Sequence, residues 1–169
     1  ANMRWQTGDN TYQWAANTPV FETIWDAGGI DTLDASNQTT AVMLNLNPGT
    51  FSSIGQSFLK YEALGSSAWI NNGLSIAYGA RIVNAVCSAY AVTLIGNQWA
   101  NVLDGRAGAD TMSGGNGNDI YYVDNTGDVV SETNASASIG GTDTVYSYLA
   151  AYTLGTNVEN LRLLATGTA

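Results

Sequence analysis

Apolar and polar positions alternate along this chain in short runs, each closed by Gly, Asn, Asp or Pro. Residues 20–25, 41–46, 82–86, 144–148 and 158–164 read as strands on that pattern, because a period of two bounded by turn formers is what a half-buried strand requires. Residues 56–64 differ. There Phe58, Leu59, Tyr61 and Leu64 predict one or two helical turns, without a strong cap. Between residues 105 and 122 the alternation tightens into two nonapeptides in phase, Gly105-Arg106-Ala107-Gly108-Ala109-Asp110-Thr111-Met112-Ser113 and Gly114-Gly115-Asn116-Gly117-Asn118-Asp119-Ile120-Tyr121-Tyr122. The triplet after each Asp makes a very short strand with Met112 and Tyr121 pointing inward. One nonapeptide is then half a coil, and loops on the same side recur after two.

That periodicity carries chemistry. Glycine lets the backbone curl so that successive carbonyl oxygens converge. In these loops Arg106, Gly108, Gly115 and Gly117 are the candidate carbonyl donors. An Asp at the end of each loop adds a carboxylate, and mixed hard oxygens suit Ca²⁺, which takes about six to eight of them. Ligands for an ion held between stacked loops must stand two nonapeptides apart. Asn101, in the degenerate copy Gly96-Asn97-Gln98-Trp99-Ala100-Asn101, stands in register with Asp119 on one side. Asp110 stands in register with Asp128 on the other. The phase stops at Val92 and at Ala137, so the roll is expected to hold about two ions by ligand counting. Turn formation alone would explain one such cluster. Glycine at 96, 105 and 114, each followed five residues later by Asn or Asp, favours the coil instead. A second echo joins Gly28-Gly29-Ile30-Asp31-Thr32-Leu33 to Gly140-Gly141-Thr142-Asp143-Thr144-Val145.

Composition narrows the classes further. Asp and Glu number 14 against 5 Lys and Arg, for a net charge of −9, which argues against a nucleic-acid partner. With 45% hydrophobic residues the chain can bury a core as one domain, residues 1–169. Within it, residues 1–86 form an N-terminal portion, 87–132 the nonapeptide roll and 133–169 a further β spacer. One cysteine, Cys87, excludes an intrachain disulfide, and it reads as a packed small residue. No histidine is present, which removes the commonest zinc ligand and general base. No apolar run approaches the roughly 18 residues of a membrane span. Trp5, Trp14, Trp25, Trp69 and Trp99 read as core or cap residues more than as a sugar-stacking platform. Glu62, Glu132 and Glu159 show no partner for acid–base work, so no catalytic residue is expected.

The nonapeptide pattern is identified as the calcium-binding repeat of RTX proteins. The ordered succession Thr23-Ile24-Trp25-Asp26-Ala27-Gly28-Gly29-Ile30-Asp31-Thr32-Leu33-Asp34, Leu44-Asn45-Leu46-Asn47-Pro48-Gly49-Thr50-Phe51-Ser52-Ser53-Ile54-Gly55, Leu74-Ser75-Ile76-Ala77-Tyr78-Gly79 and Leu94-Ile95-Gly96-Asn97 resembles the C-terminal β-roll module of serralysin-type secreted metalloproteases. The likeness covers roughly residues 1–122. Later units, Tyr121 to Asp128 and Tyr152 to Leu161, resemble RTX spacers.

The resemblance implies an all-β fold, a right-handed parallel β-roll with a flanking antiparallel or sandwich-like portion. It also implies a further calcium near the start, held by the Gln6, Gly8, Asn10 and Gly28 carbonyls with the Asp26 and Asp31 carboxylates. A neighbouring family site uses a glutamate where Val83 stands, and Val83 cannot ligate. The expected total is about two to four Ca²⁺ ions. The family's catalytic unit lies upstream and needs a His-Glu-x-x-His helix, absent from this chain. The expected role is a non-catalytic module of a secreted bacterial protein, extracellular or at the cell surface, that folds on calcium after type I export. Its expected partners are calcium and either an upstream zinc protease domain or copies of itself in a surface layer, filament or adhesin. Truncation at both ends is the simplest reading of Ala1-Asn2-Met3 and of residues 163–169.

Overall fold

Runs of three or four alternating residues leave room only for short strands, and the computed structural model contains these and no helix among the residues it describes, 6–61, 67–134, 136 and 138–164. Expectations placed on residues 1–5, 62–64, 137 and 165–169 lie outside that set. Strands β1 (Thr11–Gln13), β2 (Glu22–Ile24), β3 (Asp31–Asp34), β4 (Met43–Asn45), β5 (Phe51–Ser52), β6 (Phe58–Tyr61), β7 (Ser67–Ile70) and β8 (Leu74–Ile76) build the first half. The second holds β9 (Ile82–Val86), β10 (Thr93–Ile95), β11 (Val102–Asp104), β12 (Thr111–Ser113), β13 (Ile120–Val123), β14 (Val129–Val130), β15 (Thr144–Ser147) and β16 (Asn160–Leu163).

Two parallel sheets carry the architecture. One has seven strands in the order β1-β3-β9-β11-β13-β15-β16, the other four in the order β14-β12-β10-β4. From β9 to β15 the chain alternates strictly between them, so each half-turn deposits one strand and each full turn returns to the same sheet. The register states the period directly: Leu103 pairs with Tyr121, and Leu94 with Met112. All-β architecture with parallel sheets is thus established, and the coil is of the kind a β-roll requires. A single sheet also runs through the N-terminal portion, the nonapeptides and the spacer.

Along the stacked coils of these two sheets one side chain per strand is buried between them. Leu33, Ala85, Leu103, Tyr121 and Val145 on the larger sheet and Leu44, Leu94, Met112 and Val130 on the smaller belong to one buried cluster. Each large apolar side chain there contributes about 1.5–3 kcal/mol by leaving water. Strands this short cannot be stable alone, so stacking of coils is what holds them.

The flanking portion is mixed. Strand β8 pairs parallel with β2 and antiparallel with β5, and β6 pairs antiparallel with β7. The helical turns expected from residue 56 are replaced by β6, in register Phe58 to Ile70 and Tyr61 to Ser67. Local spacing favoured a helix only weakly and no cap reinforced it. A β-forming partner, Ser-Ala-Trp-Ile, was within hairpin reach and satisfies the backbone instead.

Candidate metal centres

The residues that open the strands of the larger sheet, or stand just before them, fall into one column by register: Asn10, Asp31, the β9 bulge at Ile82–Val83, Asn101, Asp119, Asp143 and Glu159. A second column precedes the smaller sheet: Val42, Val92, Asp110 and Asp128. Each acid uses one oxygen to accept the backbone N–H of its counterpart one coil earlier. Asp31 Oδ1 accepts from Asn10 at 2.8 Å, Asp119 Oδ1 from Asn101 at 2.8 Å and Asp143 Oδ1 from Asp119 at 2.8 Å. On the second column Asp110 Oδ1 accepts from Val92 and Asp128 Oδ1 from Asp110, both at 3.0 Å. These charge-assisted bonds lock the carboxylates in place.

The other oxygens are the informative ones. Oδ2 of Asp31, of Asp110 and of Asp119 is buried with no hydrogen-bond partner. An ionised carboxylate is acceptor-only, so such an atom requires either a proton or a cation. Burial pushes the Asp119 carboxyl up to about 7, with the charges of Asp143 and Glu132 adding and the Asn101 amide opposing. Burial likewise raises Asp110 to about 6, with Asp128, Asp124 and Asp104 adding, and Asp143 to about 6. Asp31 is raised for the same first cause.

The spacing of glycine to acid now has a steric reason. A Cβ on Gly105 would collide with Asp110 Oδ2, and one on Gly114 with Asp119 Oδ2 and the Tyr121 hydroxyl. The loop backbone curls where expected, with Arg106 at φ 60°, Gly108 at 132°, Gly115 at 99° and Gly117 at 106°. No group of three or more His, Cys, Asp or Glu side chains disposed for a metal occurs among the described residues.

At the N-terminal end the six residues named by resemblance converge. Gln6 and Asp26 form a parallel bridge, with Ala27 N–H donating to the Gln6 carbonyl at 2.9 Å. Gly28 N–H donates to Asp26 Oδ1 at 2.9 Å, and Tyr12 donates to Asp26 Oδ2 at 2.5 Å. The Asn10 side-chain amide donates to the Gly8 carbonyl and, at 3.4 Å, to Asp26 Oδ2. Asp26 and Asp31 are both buried.

Three acids outside the expected set lie in or against these columns. Asp143 and Glu159 extend the larger column, Glu159 Oε2 accepting from Asp143 N–H at 2.8 Å. A strict nonapeptide count misses them because the coil between Asp119 and Asp143 is longer, the surplus being taken up by a turn closed from Ile139 and Gly140 N–H to the Ser136 carbonyl. The Gly-Gly-Thr-Asp echo at 140–143 was the available signal. Glu132, buried, stands where the preceding same-side loop has Gly114, and its carboxylate accepts from Gly114 N–H at 2.7 Å, from Gly115 N–H and from the Tyr121 hydroxyl. Burial and that carboxylate raise the Tyr121 hydroxyl far above its ordinary range, so it remains a donor.

Other expectations resolve simply. Cys87 is buried and its thiol is pushed up by burial. Trp14 packs against the core and donates to Glu22 at 2.8 Å, Trp99 lies under Arg81 with 5.5 Å to the ring centroid, and Trp25 is 55% exposed. No helix among the described residues is long and apolar enough to cross a membrane.

Comparison with known proteins places this arrangement. The family model described as peptidase M10 serralysin C terminal matches residues 1–149. Serralysin C of Dickeya chrysanthemi is 34% identical over 98 residues, 51% of this chain and 18% of its own length. Serralysin G of the same organism is 36% identical over 109 residues, 57% of this chain and 20% of its own. Metallopeptidase AprA of Pseudomonas marginalis is 33% identical over 114 residues, 60% of this chain and 21% of its own. The match thus spans about a fifth of each relative. With two parallel sheets, two acid columns and a family match over most of its length, the chain belongs to the serralysin C-terminal family of peptidase M10.

Proposed function

We propose that this chain is a calcium-binding β-roll module of a secreted protein, non-catalytic itself, whose later coils are closed at neutral pH by cations that neutralise its two acid columns. The observation that carries the reading is the set of buried, unpartnered carboxylate oxygens on Asp31, Asp110 and Asp119. All three stand at positions the repeat and the family resemblance assign to ligands. Ca²⁺ would supply divalent charge and flexible coordination by about six to eight oxygens. Magnesium suits the site poorly, since its stricter octahedral demand conflicts with loops rich in carbonyls.

The residues divide by place. Asp26 and Asp31, with the Gln6, Gly8, Asn10 and Gly28 carbonyls, would hold an ion at the start of the module. Asp110 and Asp128, with the Arg106 and Gly108 carbonyls, would serve the smaller-sheet side. Asp119, with the Gly115 and Gly117 carbonyls, would serve the larger-sheet side, and Asp143 joins it. Asp31, Asp110, Asp119, Asp128 and Asp143 are each held by an inter-coil N–H bond, so ion binding and coil stacking reinforce one another there. Two to four ions fit this inventory.

Millimolar calcium outside a cell would load sites of modest affinity that stay empty inside, and a chain so governed folds after export. The family's description as a serralysin C terminus, with relatives named serralysin and metallopeptidase, favours a metallopeptidase parent whose catalytic domain precedes this module. Circular dichroism during a calcium titration tests the reading on the native chain and on Asp110→Ala plus Asp119→Ala. The native β signal is expected to grow with calcium and the double variant to lose that gain. An identical spectrum of the native chain in chelator and in calcium would refute it.

A further inference from the structure

In the larger column Asn101 differs from the acids that follow it. Asn101 stands in register with Asp119, yet neither of its side-chain polar atoms is free. Its Oδ1 accepts from Asn97 N–H at 2.8 Å, and its Nδ2 donates to the Val83 carbonyl at 2.9 Å and to Asn97 Oδ1 at 3.2 Å. Asn97 is equally saturated. Its Nδ2 donates to the Ile82 carbonyl at 2.7 Å and the Leu46 carbonyl at 3.1 Å, and its Oδ1 accepts from Trp99 N–H at 3.0 Å. Both residues are buried.

Three backbone carbonyls, of Leu46, Ile82 and Val83, therefore meet amide N–H groups at this level. One coil later the equivalent level presents Asp119 with an unpartnered Oδ2. A neutral amide carries its own donors, so it satisfies converging carbonyls where a carboxylate cannot. Val83, at the neighbouring position of the same column, adds no charge.

We propose that Asn97 and Asn101 form a metal-free rung, in which amide hydrogen bonds replace a cation between loops. The coil over residues 82–104 then closes without calcium and forms the platform on which the calcium-dependent coils assemble. The inference rests on the proposed function for those later coils. It adds a direction to folding, from a metal-independent centre toward Asp119 and Asp143. Strand β11 presents its edge to β13 through Val102–Ile120 and Leu103–Tyr121 pairing, and Asn101 N–H already points at Asp119 Oδ1. The rung thus holds the docking strand in position before the ion arrives.

Hydrogen exchange read by mass spectrometry tests it on the whole chain, metal-free and with millimolar calcium. Amides of β9, β10 and β11 are expected to be protected in both conditions, and those of β12, β13 and β15 only with calcium. Protection of β9–β11 that appears only with calcium, at the midpoint shown by β13, would overturn the rung while leaving the proposed function standing. Full protection of every strand without calcium would overturn the proposed function, and the rung with it.

The substitution Asn101→Asp sharpens the test, because it exchanges the donor amide for an acceptor. Exchange over residues 82–104 in metal-free solution should rise by about a hundredfold, a local opening that calcium reverses. Native exchange in Asn101→Asp without calcium would sink the proposal.

Discussion

At the scale of single residues, the acids of the two columns are poised between a proton and a cation. The carboxyls of Asp110 and Asp143 at about 6 and of Asp119 at about 7 lie above the ordinary 3.8. Between those values the folded, metal-free chain binds more protons than the unfolded one, so its stability falls as pH rises. The metal-free chain is expected to melt at a higher temperature at pH 5 than at pH 7.5. A melting temperature that climbs over that interval would contradict the account. Asp119→Asn should raise metal-free stability at pH 7.5, by removing a buried charge, and reduce the gain from calcium; thermal melts with and without the ion read both signs.

Steric reasoning gives a second prediction at this scale. In Gly114→Ala the new methyl meets Asp119 Oδ2 and the Tyr121 hydroxyl, and the loop must shift to admit it. A loss of about 1–3 kcal/mol is expected in urea titrations with calcium. Gly8 has open space at the same atom, and Gly8→Ala should stay within about 0.5 kcal/mol of native.

At the scale of elements, each strand is too short to persist alone and is held by the coil before and after it. Leu103 sits at the centre of that stack, fully buried between Ala85 and Tyr121. Leu103→Ala is expected to cost about 2–5 kcal/mol in calcium, measured by denaturant unfolding. Strand positions were legible because alternation between Gly, Asn and Asp punctuation is a local property: residues 82–86 were read as they stand, and residues 144–148 to within one residue. The β6–β7 hairpin was not, since Phe58, Leu59 and Tyr61 carry a spacing compatible with either period. Only pairing with Ser67–Ile70 decided between them.

At the scale of the whole molecule, a net charge of −9 opposes compaction, and on the proposed function cations at the columns would relieve it. Sodium chloride at about 0.1 M screens charges beyond about 10 Å but cannot seat a divalent ion among carbonyls. Small-angle scattering should therefore show contraction on adding calcium, toward the radius of gyration of about 15 Å typical of a folded chain this long. Equal concentrations of magnesium should leave the metal-free value largely unchanged. Contraction by magnesium to the same size would remove the argument for calcium.

The chain alone determined the nonapeptide period, the strands it generates and the acids at 110, 119 and 128, because half a coil is built from nine consecutive residues and its demands are local. Tertiary structure decided what depends on stacking. It carried the larger column past a coil of irregular length to Asp143 and Glu159, which a fixed count passes over. It brought Glu132 back onto Gly114 and Gly115. It also separated Asn101, saturated by amide bonds, from Asp119, left with a bare oxygen, although both occupy the same place in the repeat. Which of two equivalent positions lacks a partner is a property of the neighbouring coils, and only their packing supplies it.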